Sequence, residues 1–129
     1  MSAEIEREVL ELTRRLLDSI AKADWETYQL LCDPSLTCFE PEARNQLVAG
    51  LDFHRYYFAL GARKTAVNTT ICAPHVRVLS ADAAVVSYVR LVQFLDAAGT
   101  PQTSRSEETR LWQRQDGAWK HVHFHRSVS

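Results

Sequence analysis

The sequence predicts an α+β fold in which a conical, curved antiparallel sheet wraps around a long N-terminal helix. The first observation is a broad apolar stripe at helical spacing over residues 3–22. The second is a run of three alternating segments over residues 83–126, separated by turn signals at Asp96–Pro101 and Gln115–Gly117. Helices that precede an antiparallel meander are typical of folds with the helices on one face of the sheet.

The N-terminal helix is the clearest single element. Its apolar residues follow the 3.6-residue period, and they are Ile5, Val9, Leu12, Leu16 and Ile20, widened by Leu10 and Leu17. Charged side chains occupy the remaining positions. The stripe is wide enough to lie across a sheet, so we expect this helix to pack on the core.

The middle of the chain predicts shorter elements. Asp24 is a candidate N-cap for a second helix over residues 25–31, which Asp33-Pro34 ends. A strand over 36–39 stops at Glu40-Pro41-Glu42, and 47–49 predicts a short strand. Asp52 is a candidate cap for a third helix over residues 53–60. The spacing of its apolar residues predicts a buried face formed by Phe53, Tyr56, Tyr57 and Leu60. His54 and Phe58 lie on the flank of that face.

The remainder is predicted to be β-structure. Two strand segments, 67–73 and 76–79, flank Pro74, which marks a bulge or bend. Three long strands follow at 85–95, 103–114 and 118–126.

Length and composition limit the functional classes. A chain of 129 residues with a formal charge of −1 predicts one domain, residues 1–129, with no field for nucleic acid or for an anionic membrane. Its three cysteines (Cys32, Cys38 and Cys72) are an odd number and have no metal-type spacing, so reduced thiols are expected. A cytoplasmic location is expected, with a nuclear one as the alternative. No apolar run approaches membrane-spanning length, and the sequence predicts no cofactor and no metal site.

Three arginines are the main candidates for a binding site. Alternation places Arg90 and Arg126 among apolar neighbours on their strands. The position of Arg110 depends on the turn between the last two strands. A two-residue turn at Asp116-Gly117 places Arg110 beside His123, on the face away from Arg126. A three-residue turn places it opposite Val122, on the same face as Arg126 and Glu108. We favour the three-residue turn, because it also sets Trp112 beside the apolar side of the last strand. Three buried guanidiniums then need carboxylates, carbonyls or a ligand.

The last strand also carries three alternating histidines, His121, His123 and His125. Strict alternation predicts that they share the face opposite Arg126, at the sheet surface or at an interface. At an interface they would make assembly pH-sensitive.

Three segments resemble the association, or hub, domain of calcium/calmodulin-dependent protein kinase II. They are CDPSLTCFEPEARNQLVAGLDFHRYYF, TTICAPHVRVL and SRSEETRLWQRQDGAWKHVHFHRS, and the similarity extends from about Glu8 to Ser127. The resemblance implies the conical fold of the nuclear-transport-factor-2-like superfamily and a non-catalytic protein that assembles into closed double rings, usually of twelve or fourteen subunits, which display linked kinase domains. It also implies a pocket for small carboxylates or acidic peptide side chains.

Matching of these strings assigns that pocket to His54, Arg90, Arg110 and Arg126. In the favoured register Glu108 shares the face of Arg110, so we expect it to hold part of the positive charge when the pocket is empty. The chain departs from the family at Ala49, where an acidic residue is usual, at Gln102, where arginine is usual, and in a shorter loop over 59–66. It contains no kinase domain, so an excised domain or a stand-alone relative is expected. Ring size is the property that these changes affect most.

Two other interpretations of the arginines remain open. They form an internal ion-pair network that only braces the cone, or they line the cavity of an isomerase or dehydratase, as in enzymes of the wider superfamily. An enzyme would need Glu108 or His54 as a base with a pKa near the working pH.

Overall fold

The computed structural model describes residues 2–128, which form three α-helices and six strands. Their bounds are α1 Ser2–Ala21, α2 Trp25–Leu31, β1 Cys32–Phe39, β2 Val48–Ala49, α3 Asp52–Ala59, β3 Asn68–Ser80, β4 Ala83–Leu95, β5 Pro101–Gln115 and β6 Ala118–Ser127, with a 3-10 turn at Pro41–Ala43. Within this described part, no helix is both long and apolar enough to cross a membrane.

The strands form one mixed sheet in the order β2-β1-β6-β5-β4-β3. The meander β3–β6 is antiparallel throughout, as the sequence predicts. β1 departs from this pattern because it runs parallel to β6. The first strand of the chain therefore lies beside the last one. The α+β class, with a long N-terminal helix on a curved sheet, is confirmed.

The core lies between α1 and the sheet. Val9, Leu16 and Leu17 of α1 are buried, and the helix packs against β3 and β4. Thr13 is fully buried as well: its Oγ1 donates to the Val9 carbonyl at 2.8 Å and accepts from Trp112 Nε1 at 3.1 Å. A polar side chain thereby joins α1 to β5 without leaving a buried group unpaired.

The short elements before the meander follow the prediction in part. Asp24 caps α2, since its carboxylate accepts from the Thr27 amide at 3.2 Å and from the Thr27 hydroxyl at 2.7 Å. β1 begins at Cys32, four residues earlier than predicted, because the segment pairs with β6 from its first residue. Asp52 is the first residue of α3 and no side chain caps that helix.

Three of the four residues predicted to form the buried face of α3 are exposed, and the fourth, Phe53, is half-buried. Tyr56 is 63%, Tyr57 41% and Leu60 68% exposed, whereas His54 is buried and Phe58 packs against the core. Phe58 and His54 lie on the ring of Tyr28, at centroid distances of 4.8 and 6.0 Å. Contacts with α2 therefore decide which side of α3 faces inward, and the aromatic spacing does not.

The predicted bulge at Pro74 is confirmed. The register of β3 on β4 shifts between Cys72 and His75, and Ala73 has φ 48°. The two segments on either side of Pro74 are one strand, β3, with an irregularity at its centre.

The β5–β6 turn has two residues, so the favoured three-residue turn is wrong. Gln115 pairs with Ala118, and both Asp116 (φ 50°) and Gly117 (φ 81°) are left-handed. A bulge then shifts the register: Trp112 pairs with His121, but Leu111 pairs with His123. The extra residue reverses the alternation of β6, so Arg110 pairs with Phe124 on the Arg126 side of the strand.

Candidate functional site

All four predicted pocket residues line one cavity of about 220 Å³ between α1, α3 and the sheet. Arg90, Arg110 and Arg126 come from β4, β5 and β6, and His54 comes from α3. The wall also contains Glu40 and Glu42 and is completed by Ile20, Tyr28, Tyr57, Phe58 and Phe124. Glu108 is not in the lining and lies behind the arginines.

Arg110 is the floor of this pocket and is only 1% exposed. Its Nε donates to the Tyr88 hydroxyl at 2.8 Å and its Nη2 donates to Glu108 Oε1 at 2.9 Å. The guanidinium carbon lies 4.5 Å from the centre of the Phe124 ring, and Nη1 is 3.4 Å from His121 Nε2. These contacts occupy the fork of the guanidinium, so Arg110 is held in one position.

Glu108 compensates the positive charge of the floor. It is 2% exposed and accepts hydrogen bonds from the Tyr88 hydroxyl at 2.6 Å and from Ser106 Oγ at 2.8 Å. Burial alone would raise the pKa of this carboxyl, but the attraction of Arg110 and Arg90 outweighs burial, and the pKa falls to about 2. Glu108 is therefore ionised at neutral pH.

Arg90 is less fully bound than Arg110. Its Nε lies 2.9 Å from Glu108 Oε2, but the N–H is not aligned for a hydrogen bond, and no other described residue accepts it. Burial lowers the pKa of this guanidinium, against the opposing attraction of Glu108. Arg90 also borders a second cavity, between α1 and the loop before β3, so its side chain is accessible from two sides.

Arg126 forms the outer side of the pocket and pairs with Glu42 of the 3-10 turn. It is half-buried, and Glu42 is exposed. Glu42 thus places a carboxylate of the protein itself at the pocket mouth, on a guanidinium that faces the cavity.

His54 lines the pocket from α3. It is 6% exposed, with Nδ1 3.4 Å from Glu40 Oε2 and Nε2 3.7 Å from Cys38 Sγ. Burial and, secondly, the charge of Arg110 lower the pKa of His54 to about 4, so the imidazole is neutral at pH 7.

His121 does not line the pocket but contacts Arg110 from the core, whereas the sequence interpretation placed it on the outer face. It is fully buried between Trp112 and Phe124, and its Nδ1 is 3.5 Å from Cys32 Sγ. Burial and the charge of Arg110 hold the pKa of His121 well below its usual range. His123 and His125 remain on the other side of β6, so the three histidines do not share a face, because the bulge lies between them.

The geometry suits an anion better than proton transfer. Three guanidiniums converge on a buried cleft, where charge-assisted bonds to a carboxylate are strong. A general base needs a pKa near the working pH, whereas the pKa of Glu108 is about 2 and that of His54 about 4. Neither group meets that requirement.

Comparison with known proteins agrees with the resemblance seen in the sequence. The profile of the calcium/calmodulin dependent protein kinase II association domain matches residues 5–129. The delta subunit of this kinase from Oryctolagus cuniculus is 49% identical over 125 residues, which cover 95% of this chain and 24% of the subunit. The chain therefore spans about a quarter of the length of that relative.

Solved structures give the same result. The association domain of the C. elegans kinase superimposes with a TM-score of 0.93 at 47% identity, covering 98% of this chain and 97% of the other. A hub homology domain from C. reinhardtii gives a TM-score of 0.90 at 48% identity, covering 97% and 98%. More distant nuclear-transport-factor-2-like and cystatin-like structures, at 21% and 13% identity, share the fold alone.

Proposed function

Because this chain belongs to the calcium/calmodulin-dependent protein kinase II association-domain family, we propose that it is a self-associating hub. Its copies assemble into a closed double ring of about twelve to fourteen or more subunits, whose number depends on small interface angles. Residues 1–129 act as one association domain, and the ring organises kinase domains joined to it. The three free cysteines support a reducing compartment, the cytoplasm.

The observation that carries this proposal is the exposed face of α3. We call Tyr56, Tyr57 and Leu60 the α3 patch; all three are large and more than two-fifths exposed, and the rings of Tyr56 and Tyr57 lie 5.2 Å apart. A contiguous exposed patch of aromatic and aliphatic side chains is typical of a protein–protein contact. Its side chains share one helix face, so a second copy can cover them together.

A double ring needs two kinds of contact, one around each ring and one between the rings. β3 supports a second contact, because it is a 13-residue edge strand of the sheet and its Leu79 is 58% exposed. Long open edges expose unpaired backbone groups that another chain can cover. The bulge at Ala73 and Pro74 limits such pairing to part of the strand.

We predict that the purified chain is a particle of more than ten subunits in solution. Light scattering after size exclusion measures its mass at several concentrations. A closed assembly keeps its mass on dilution, since each subunit is held by more than one contact. A monomer or a plain dimer over a wide concentration range would refute the hub assignment.

We further propose that the pocket binds a small carboxylate or an acidic peptide side chain. Arg110 is held by Tyr88 and Glu108, so it supplies charge from the floor. Arg90 and Arg126 make the contacts with the ligand, because the Arg90 Nε–H has no aligned acceptor and the partner of Arg126, Glu42, is an exposed carboxylate that a ligand can replace. Neutral His54 adds a polar contact at the side. The bound acid is held and not converted.

Replacing Arg90 by glutamine is expected to reduce carboxylate affinity by at least about tenfold, because one charge-assisted hydrogen bond contributes roughly 1.5–3 kcal/mol. Isothermal titration with acetate and with succinate measures the loss. The matched control is Arg105→Gln, a half-exposed arginine of β5 outside the pocket, which should bind as the unaltered protein does. If none of the three proteins takes up a carboxylate, the arginines only brace the cone.

A further inference from the structure

A thiol, a carboxylate and an imidazole meet beside the pocket. Cys38 Sγ lies 3.6 Å from Glu40 Oε2 and 3.7 Å from His54 Nε2, and His54 Nδ1 lies 3.4 Å from Glu40 Oε2. One ligand atom from each residue falls within 4.8 Å of the other two. Sulfur, oxygen and imidazole nitrogen are the three donor types that Zn²⁺ takes from proteins.

The spacing fits a common ion. With Zn–S bonds of about 2.3 Å and Zn–N and Zn–O bonds of about 2.0 Å, the ligand atoms of a tetrahedral site are roughly 3.3–3.5 Å apart. The close contacts use both nitrogens of His54, since Nδ1 lies 3.4 Å from Glu40 Oε2 and Nε2 lies 3.7 Å from Cys38 Sγ. For one ligand atom from each residue, the separations are at most 4.8 Å. Movements of about 1 Å, shared between the side chains of Cys38, Glu40 and His54, bring the sulfur, one carboxylate oxygen and one imidazole nitrogen to those separations.

The three groups satisfy one another poorly without an ion. A thiol is a weak hydrogen-bond donor, and both of its contacts are long. The Glu40 carboxylate has no lysine or arginine within ion-pair distance in the described part of the chain, since Arg126 pairs with Glu42 instead. Cys38 is fully buried and His54 nearly so, which leaves a half-buried carboxylate with a thiol and an imidazole as its partners.

We propose that Cys38, Glu40 and His54 bind Zn²⁺, with the fourth coordination position open to the arginine-lined pocket. On binding, the S–H bond of Cys38 breaks, a Zn–S bond forms and one proton leaves to the solvent. The thiolate and the carboxylate together neutralise the divalent charge, so Arg110 and Arg126 face a neutral centre. This site does not depend on ring assembly, but it shares His54 with the proposed carboxylate pocket.

The sequence shows no metal motif because the ligands come from two elements. Cys38 and Glu40 are two residues apart at the end of β1, which sets their side chains on the same side of the extended chain. His54 follows on α3, which turns back over that strand end. Neither part resembles a paired-cysteine or helical histidine motif by itself.

Zinc binding is tested on the assembled protein after treatment with a chelator. We expect one Zn²⁺ and one released proton per chain, measured by titration in a weakly buffered indicator solution. Co²⁺ serves as the spectroscopic probe: a thiolate-to-cobalt charge-transfer band reports the sulfur ligand, and intense visible bands report a tetrahedral ion. Cys38→Ala should weaken Zn²⁺ binding by more than about 100-fold. Removing a residue that only hydrogen-bonds to a metal ligand typically weakens binding by about 10–100-fold, so a larger loss identifies Cys38 as a ligand.

Two variants serve as comparisons. Cys72→Ala removes a half-buried thiol of β3 outside the group and should keep the charge-transfer band. Glu40→Gln keeps the size of the side chain and should weaken binding while the band remains. The proposal is overturned if Cys38→Ala binds Zn²⁺ as tightly as the unaltered protein. Should that variant fail to fold, the spectrum of the unaltered protein decides, because Co²⁺ binding without a sulfur band also overturns the proposal.

Discussion

Replacing Glu108 by glutamine is expected to lower the free energy of unfolding by about 3–5 kcal/mol, the usual cost of removing one partner of a buried ion pair. Arg110 is 1% exposed and cannot lose its proton near neutral pH, so the variant keeps a buried guanidinium without a carboxylate. Glutamine keeps the size of the side chain and one acceptor oxygen, which limits the change mainly to charge. Denaturant unfolding at a fixed protein concentration measures the effect.

Glu107→Gln is the matched control. Glu107 is the preceding residue of β5, and its side chain is 62% exposed, with Arg105 3.8 Å away at the surface. An exposed pair of this kind contributes little, so we expect a change of less than about 0.5 kcal/mol. Equal effects of the two substitutions would show that the buried pair adds nothing specific to stability.

Acid should remove the difference between the unaltered protein and Glu108→Gln. The pKa of Glu108 falls from the ordinary 4.5 to about 2 on folding, so its stabilisation is complete above about pH 4.5 and is lost as the pH falls towards 2. At about 1.4 kcal/mol for each pKa unit, the gap narrows by roughly 3 kcal/mol over that interval. Unfolding curves of both proteins between pH 6 and pH 2.5 test this. A gap that stays constant would mean that folding does not lower the pKa of Glu108.

The convergence of the three arginines was predictable from the sequence, but the route to it was not. Alternation correctly placed Arg90 and Arg126 on the inner face of their strands. Arg110 reaches the pocket through a two-residue turn followed by a bulge, which places it on the same face as the predicted three-residue turn would. A signal for the bulge exists: Trp119 and Phe124 are both buried although they are five residues apart. Residues separated by an odd number share a strand face only if an extra residue lies between them.

His121 and α3 show two limits of pattern reasoning. The bulge carries His121 into the core beside Arg110, so period-2 alternation assigned it to the wrong side. On α3, hydrophobic periodicity predicted a buried face that is largely exposed, because contacts with Tyr28 of α2 turn His54 and Phe58 inward instead. The loop that positions Glu42 against Arg126 has no periodic pattern, so nothing in the sequence predicted that pair.

Replacing Tyr56 by glutamate is expected to break the assembly into small species without unfolding the subunit. Tyr56 is 63% exposed, so the substitution leaves the core unchanged, but it places a charge in the α3 patch. Central aromatic residues of an interface contribute about 2 kcal/mol or more each, and burying an unpaired carboxylate adds a further cost. A closed ring repeats the same contact in every subunit, so the loss at one contact is multiplied around the ring. Light scattering after size exclusion should show the mass of a monomer or dimer.

Leu30→Glu is the matched control, because Leu30 is 58% exposed on α2 and lies outside the α3 patch. It should keep the mass of the unaltered particle, which would show that a charge on an exposed apolar side chain is not enough to dissociate it. Near-ultraviolet circular dichroism checks that Tyr56→Glu stays folded, since Trp25 reports its contact with Phe58 on the inner side of α3. A folded Tyr56→Glu protein with undiminished mass would exclude the α3 patch as a contact. The β3 edge around Leu79, proposed above as a second contact, would then be the next surface to test.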